Sequence, residues 1–164
     1  MNKIKATSLL VILSFSVFFS SCGNQRIGTP EEQIVSAVVD GDIEAVRELL
    51  KNGVSANTRD KDFDEIDKGA PIIFFAAARE MPEHFEIVKL LVENGAEINF
   101  YHDTAYTPLM TAIENNNVET VNFLLASGAD LEMWFPITGS PLSRATKLNH
   151  TEIMAVLKSH GAKE

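Results

Sequence analysis

Thr107 to Asp130, TPLMTAIENNNVETVNFLLASGAD, is a unit that the rest of the chain repeats. Pro108 suits the first turn of a helix, where its missing N–H has no helical partner to lose. Asn115 to Asn117 interrupt that helix. Val118, Val121, Leu124 and Leu125 then give a second helix one apolar face, and Gly128 stops it. The stretch predicts two short helices folded back on each other by a tight reversal.

The pattern returns downstream as Ser140-Pro141-Leu142, Glu152 and Gly161-Ala162. Pro108 to Pro141 and Gly128 to Gly161 are both 33 residues, and each unit keeps 20 from its Pro to its Gly. Upstream, Ala70-Pro71-Ile72 and Gly95-Ala96-Glu97 mark another unit, with 24 from Pro to Gly. The four surplus residues fall near Arg79 to Pro82, in the reversal between the two helices. Gly53 to Pro71 is 18 where the later units have 13, which lengthens the loop holding Lys61 to Glu65. A first unit has Gln33 in place of Pro, but its Ala37, Glu44 and Gly53 keep the relative offsets of Ala112, Glu119 and Gly128.

A 33-residue period that opens on T-P-L and closes on G-A-D resembles the ankyrin repeat. The resemblance implies an all-α solenoid of four helix hairpins with extended finger loops, the repeats covering about 31–60, 61–101, 102–134 and 135–164. Ala37, Ala76, Ala112 and Ala145 fall in the first helices, where a small side chain lets neighbouring helices approach. Lys158 stands where an interior repeat has Leu125, and Glu48 where others have Leu90 and Phe123, so both ends of the array are expected to face water. A complete array and a monomer are expected. The histidine that follows T-P-L in relatives is Ile73, Met110 and Ser143 here, which removes its hydrogen bonds between repeats. Ala105 and Thr138 replace the loop glycine and must tolerate or avoid a positive φ.

At 164 residues and 45% hydrophobic content, the chain has enough apolar material for one core. Met1 to Ser21 stands apart as a signal peptide, with Lys3 and Lys5 followed by an apolar run from Leu9 to Phe19 that is too short to span a bilayer. Phe19-Ser20-Ser21-Cys22 resembles the bacterial lipobox, with Phe19 in place of the usual Leu. That resemblance implies lipidation of Cys22, which would become the mature N-terminus. Residues 22–30 then form a short linker, and the protein is expected to be lipid-anchored in a bacterial cell envelope. Without Lys3 and Lys5, 12 of the 14 basic side chains remain against 23 acidic ones, a formal charge of −11. Such a surface repels nucleic-acid phosphates, so membrane contact is assigned to acyl chains and nucleic acid is excluded as a partner.

No catalytic constellation emerges. His84 and His150 fall in inter-helix turns as structural residues, and His160 suits the negative end of a helix. Asp60, Asp62 and Asp64 match the start of a calcium loop, which then fails because Glu65 replaces its glycine and Pro71 its closing glutamate. A metal-dependent or enzymatic protein using His102 and this acidic loop is the competing reading. The leading one is a non-enzymatic module, without cofactor or metal, that binds, scaffolds or inhibits a protein partner, as some bacterial proteins resembling it neutralise toxins. Aromatics in fingers can anchor an interface, which points to Phe63, Tyr101, Tyr106, Trp134 and Phe135. Glu114 and Lys147 lie at inner-helix positions that relatives also use. Tyr101 and Trp134, one period apart, are expected side by side.

Overall fold

The computed structural model describes residues 28–60, 69–100 and 107–163. Within them eight helices pair into four hairpins: α1 (Pro30–Asp40) with α2 (Ile43–Lys51), α3 (Ile72–Ala77) with α4 (Pro82–Glu93), α5 (Pro108–Glu114) with α6 (Val118–Ala126), and α7 (Pro141–Lys147) with α8 (Thr151–Ser159). The first helix of each pair packs on the first helix of the next, and the second helices stack behind them in the same order. The expected all-α repeat solenoid is what the chain builds.

Local chemistry starts most of these helices. Thr29 and Glu32 form a reciprocal capping box ahead of α1, and Pro30 occupies its first turn. Asp42, Thr107, Asn117 and Ser140 each accept an N–H from the first turn of α2, α5, α6 and α7. Ala70 stands in the threonine position ahead of α3 and has no hydroxyl, so that helix starts uncapped and runs only six residues. Its entry is held by backbone instead. Strand β1 (Arg59–Asp60) pairs antiparallel with β2 (Ala70–Pro71), Arg59 opposite Pro71, and Ile72 N–H bonds the Thr58 carbonyl at 3.0 Å.

One core runs through all four repeats. Ala37, Ala76, Ala112 and Ala145 are fully buried, as close approach of the first helices requires. Val46, Leu49 and Leu50 of α2 and Val121, Leu124 and Leu125 of α6 are buried, with Ile43 and Val118 packed at the edge of the same face. The second repeat absorbs its surplus residues differently from a longer reversal. Part lies in the turn Ala78–Met81, and part lengthens α4 to 12 residues against nine in α2, α6 and α8. Pro82 and Glu83 suit a first helical turn, so the insertion extends a helix. In the other hairpins a left-handed residue makes the reversal, at Gly41, Asn116 and Asn149.

Candidate functional site: finger loops and inner helices

Two columns of polar side chains bolt the repeats together and so set the geometry of the surface they present. Asn57 Nδ2 donates to the Gly95 carbonyl at 3.0 Å, while its Oδ1 accepts the Glu97 N–H at 2.8 Å. Asn99 does the same one repeat later, to the Gly128 carbonyl at 3.1 Å and the Asp130 N–H at 2.8 Å. A second column lies at 33-residue spacing. His84 Nε2–H donates to the Val39 carbonyl at 3.3 Å, Asn117 Nδ2 to the Arg79 carbonyl at 2.8 Å and His150 Nδ1–H to the Ile113 carbonyl at 2.9 Å. Each side chain reaches back to the preceding repeat, so the bonds expected to be lost with the post-T-P-L histidine are supplied from another register. His84 and His150 are structural, as the sequence implied. His160 caps α8, where its Nε2 meets Asn122 Oδ1 at 3.2 Å.

Adjacent fingers and outer helices are also tied. The Arg59 guanidinium stacks 4.1 Å from the Phe100 ring centroid, linking the first finger to the second. Phe85 and Phe123 meet edge to face at 5.9 Å between α4 and α6.

The third finger is a small hairpin. Phe135 and Gly139 exchange both backbone hydrogen bonds, at 2.8 and 3.2 Å, and Gly139 takes the positive φ of 77° that Thr138 thereby avoids. Adjacent side chains on this finger point opposite ways. Phe135 is 9% exposed and joins the core, whereas Trp134 is 64% and Ile137 80% exposed. The ring of Phe135, one of the candidate binding residues, is turned under the finger and anchors it. Trp134 is presented to solvent, as a partner contact requires. Ile137 at the hairpin tip is a further exposed apolar residue, which the spacing of the aromatics does not mark; the Pro136-Ile137-Thr138-Gly139 turn carries the signal.

On the inner helices, Glu114 is already engaged. Arg144 of the next repeat grips it through Nε and Nη2, the latter at 2.8 Å, with both side chains under one-fifth exposed. Lys147 is exposed at the end of α7. Phe63, Tyr101, Tyr106 and Cys22 lie outside the described residues, and so does the expected pairing of Tyr101 with Trp134. Of the acidic loop only Asp60 is described, at the end of β1, and His102, Asp62 and Asp64 lie outside. Among the described residues no three His, Cys, Asp or Glu side chains are grouped as a metal site, and no helix is long and apolar enough to cross a membrane.

The sequence is similar, at 34% identity over 103 residues, to a protein described as the probable E3 ubiquitin-protein ligase XBOS32 of Oryza sativa subsp. japonica. That alignment covers 62% of this chain but 19% of the rice protein, so the chain spans about a fifth of its relative's length. A profile of ankyrin repeats in three copies matches residues 34–134, which hold most of the first hairpin and all of the second and third. With more than half of its length matched in this way, the chain belongs to the ankyrin-repeat family.

Proposed function

We propose that this ankyrin-repeat module binds one protein partner, without catalysis of its own, from a lipid anchor at Cys22 in a bacterial cell envelope. Ankyrin repeats are a protein-interaction architecture. The observation that carries the reading is the third finger, which holds Trp134 and Ile137 out in solvent on a hairpin whose base, Phe135, is fixed in the core. A rigid exposed tryptophan gives a partner large contact area with little ordering cost. The apolar run ending in Ser20-Ser21-Cys22 supports the anchor, with residues 1–21 read as a cleaved signal and 22–30 as a linker. In this reading the module masks, inhibits or scaffolds its partner close to the membrane.

Crosslinking in intact envelopes, followed by capture and mass spectrometry, recovers the partner. The parent chain is expected to capture a protein that Trp134→Ala with Ile137→Ala loses. Equal recovery by both would place the interface elsewhere. For the anchor, Cys22→Ser is expected to move the protein from the detergent phase into the aqueous fraction, and a variant that stays with the membrane would overturn lipidation as its tether.

A further inference from the structure

The two ends of the stack carry opposite charge at places that the repeat itself brings into register. Inside the chain, the Glu114 end of α5 meets Arg144 of α7 across a repeat boundary. One period after Glu114 comes Lys147, exposed on the face of α7 where the described stack ends. In α1 the position equivalent to Arg144 is Ser36, because Ala37 and Ala145 correspond. Its hydroxyl donates to Asp40 Oδ2, one turn on, at 3.3 Å, and both residues are exposed at the other end of the stack.

The outer helices also end in charge. Lys158 takes the place of Leu125, which the next repeat buries. Glu48 takes the place of Phe123, which reaches back to Phe85 of the preceding repeat. Both charged residues are exposed. Lys147, Lys158 and Lys163 edge a shallow groove that includes Leu142 and Met154. The contrast with the rest of the chain is large. Residues 69–134 carry two basic and ten acidic side chains, whereas residues 135–164 carry four basic and two acidic. On α2 the basic residues are Arg47, which sits 3.9 Å from Glu44, and Lys51 in its last turn.

We propose that the basic C-terminal face of one copy docks on the acidic N-terminal face of a second copy, head to tail, with Lys147 against Asp40. The contact continues the screw of the stack: Lys147 takes the part of Glu114, and Asp40, hydrogen-bonded to the Ser36 that stands in Arg144's place, takes that of Arg144, with the signs exchanged. It is heterologous, so it propagates as an open row and does not close on a dimer. One repeat face is a small interface with exposed ion pairs at its edge, which makes the association weak and salt-sensitive, and leaves dilute protein monomeric.

The test uses full-length chain in detergent micelles, an equal mixture of natural-abundance and nitrogen-15-labelled protein, and a zero-length carbodiimide that joins lysine to carboxylate. Lys147 and Asp40 lie at opposite ends of one molecule, so an amide between them reports two copies, and mixed-isotope peptides prove it. A mixed-isotope Lys147–Asp40 link is expected. Its yield should fall about fivefold or more on going from low to high salt, at unchanged helix content. Lys147→Glu combined with Asp40→Lys should restore linkage between the same two positions. Copies linked only through other residues, or a yield that salt leaves unchanged, would overturn head-to-tail docking. So would failure of the double reversal to restore the link.

Discussion

Arg144 of the fourth repeat holds Glu114 of the third through two guanidinium nitrogens, and the two side chains are 18% and 19% exposed. A two-point guanidinium–carboxylate contact is geometrically selective, and partial burial makes either partner costly to leave alone. Arg144→Met should therefore destabilise the fold by about 2 kcal/mol, whereas adding Glu114→Leu should recover most of that loss. Urea unfolding of the four members of this double-mutant cycle supplies the coupling. Near-zero coupling would mean that the pair contributes nothing beyond its packing.

The asparagine column stops one repeat early. Asn57 and Asn99 clamp a glycine carbonyl and the N–H two residues beyond it, but Glu132 holds the next place. By the spacing of Asn99, position 132 faces the Gly161 carbonyl and the Lys163 N–H, and a carboxylate cannot donate to the former. Glu132→Asn should add about 0.5–1.5 kcal/mol by continuing the clamp, and Asn99→Ala should remove about 1–3 kcal/mol. Thermal melts of both variants check this. A destabilising Glu132→Asn would show that the last finger cannot reach the register of the others.

Thr120 is fully buried in α6 and its hydroxyl has no hydrogen-bond partner among the described residues. The equivalent positions are Ala45, Ile87 and Ile153, so the fold accepts an apolar side chain there. Thr120→Val keeps the shape and removes an unsatisfied oxygen, for an expected gain of about 1 kcal/mol. An unchanged or lowered denaturation midpoint would reveal a partner for the hydroxyl.

Much of the fold was legible because each repeat is written in local rules. Pro108 and Pro141 open helices, the apolar faces of α2 and α6 recur at fixed spacing, and Ala37, Ala76, Ala112 and Ala145 mark the close approach. What escaped depends on geometry across repeats. Glu114 reads as an exposed inner-helix acid until the stack places Arg144 against it. The surplus near Arg79 reads as loop, yet Pro82 and Glu83 let α4 begin earlier. In the third finger, Trp134 and Phe135 have the same chemistry, and only the Phe135–Gly139 hydrogen bonds decide which ring is buried.

Gly41 illustrates how the reversals and the stacking constrain one residue together. Its φ is 76°, and a Cβ there would sit 3.0 Å from His84 Cε1, on the ring that bonds the Val39 carbonyl. Gly53 has φ of 90° but open space around it. Both Gly→Ala changes carry the left-handed penalty of about 1–2 kcal/mol, and Gly41→Ala adds the displacement of a buried ring. Gly41→Ala should therefore melt lower than Gly53→Ala. The reverse order would show that His84 shifts freely and that its bond to Val39 carries little stability.

The third finger separates binding from stability within two consecutive residues. Phe135 fills the core beneath the finger, and truncating a buried phenylalanine commonly costs about 3–5 kcal/mol. Phe135→Ala should lower the thermal transition sharply and disturb partner binding only through loss of fold. Trp134, mostly in solvent, loses little core contact when truncated, so its alanine variant should melt within about 0.5 kcal/mol of the parent. Against a recovered partner, however, a tryptophan at an interface centre is commonly worth about 2 kcal/mol or more, so Trp134→Ala should weaken affinity at least about tenfold. Combining it with Ile137→Ala should weaken binding further without lowering the melt, since Ile137 is the more exposed of the two. Calorimetric titration and thermal melts on the same preparations decide the matter. Unchanged affinity in the double variant would remove this finger from the interface, and a large fall in stability would place Trp134 with Phe135 in the core.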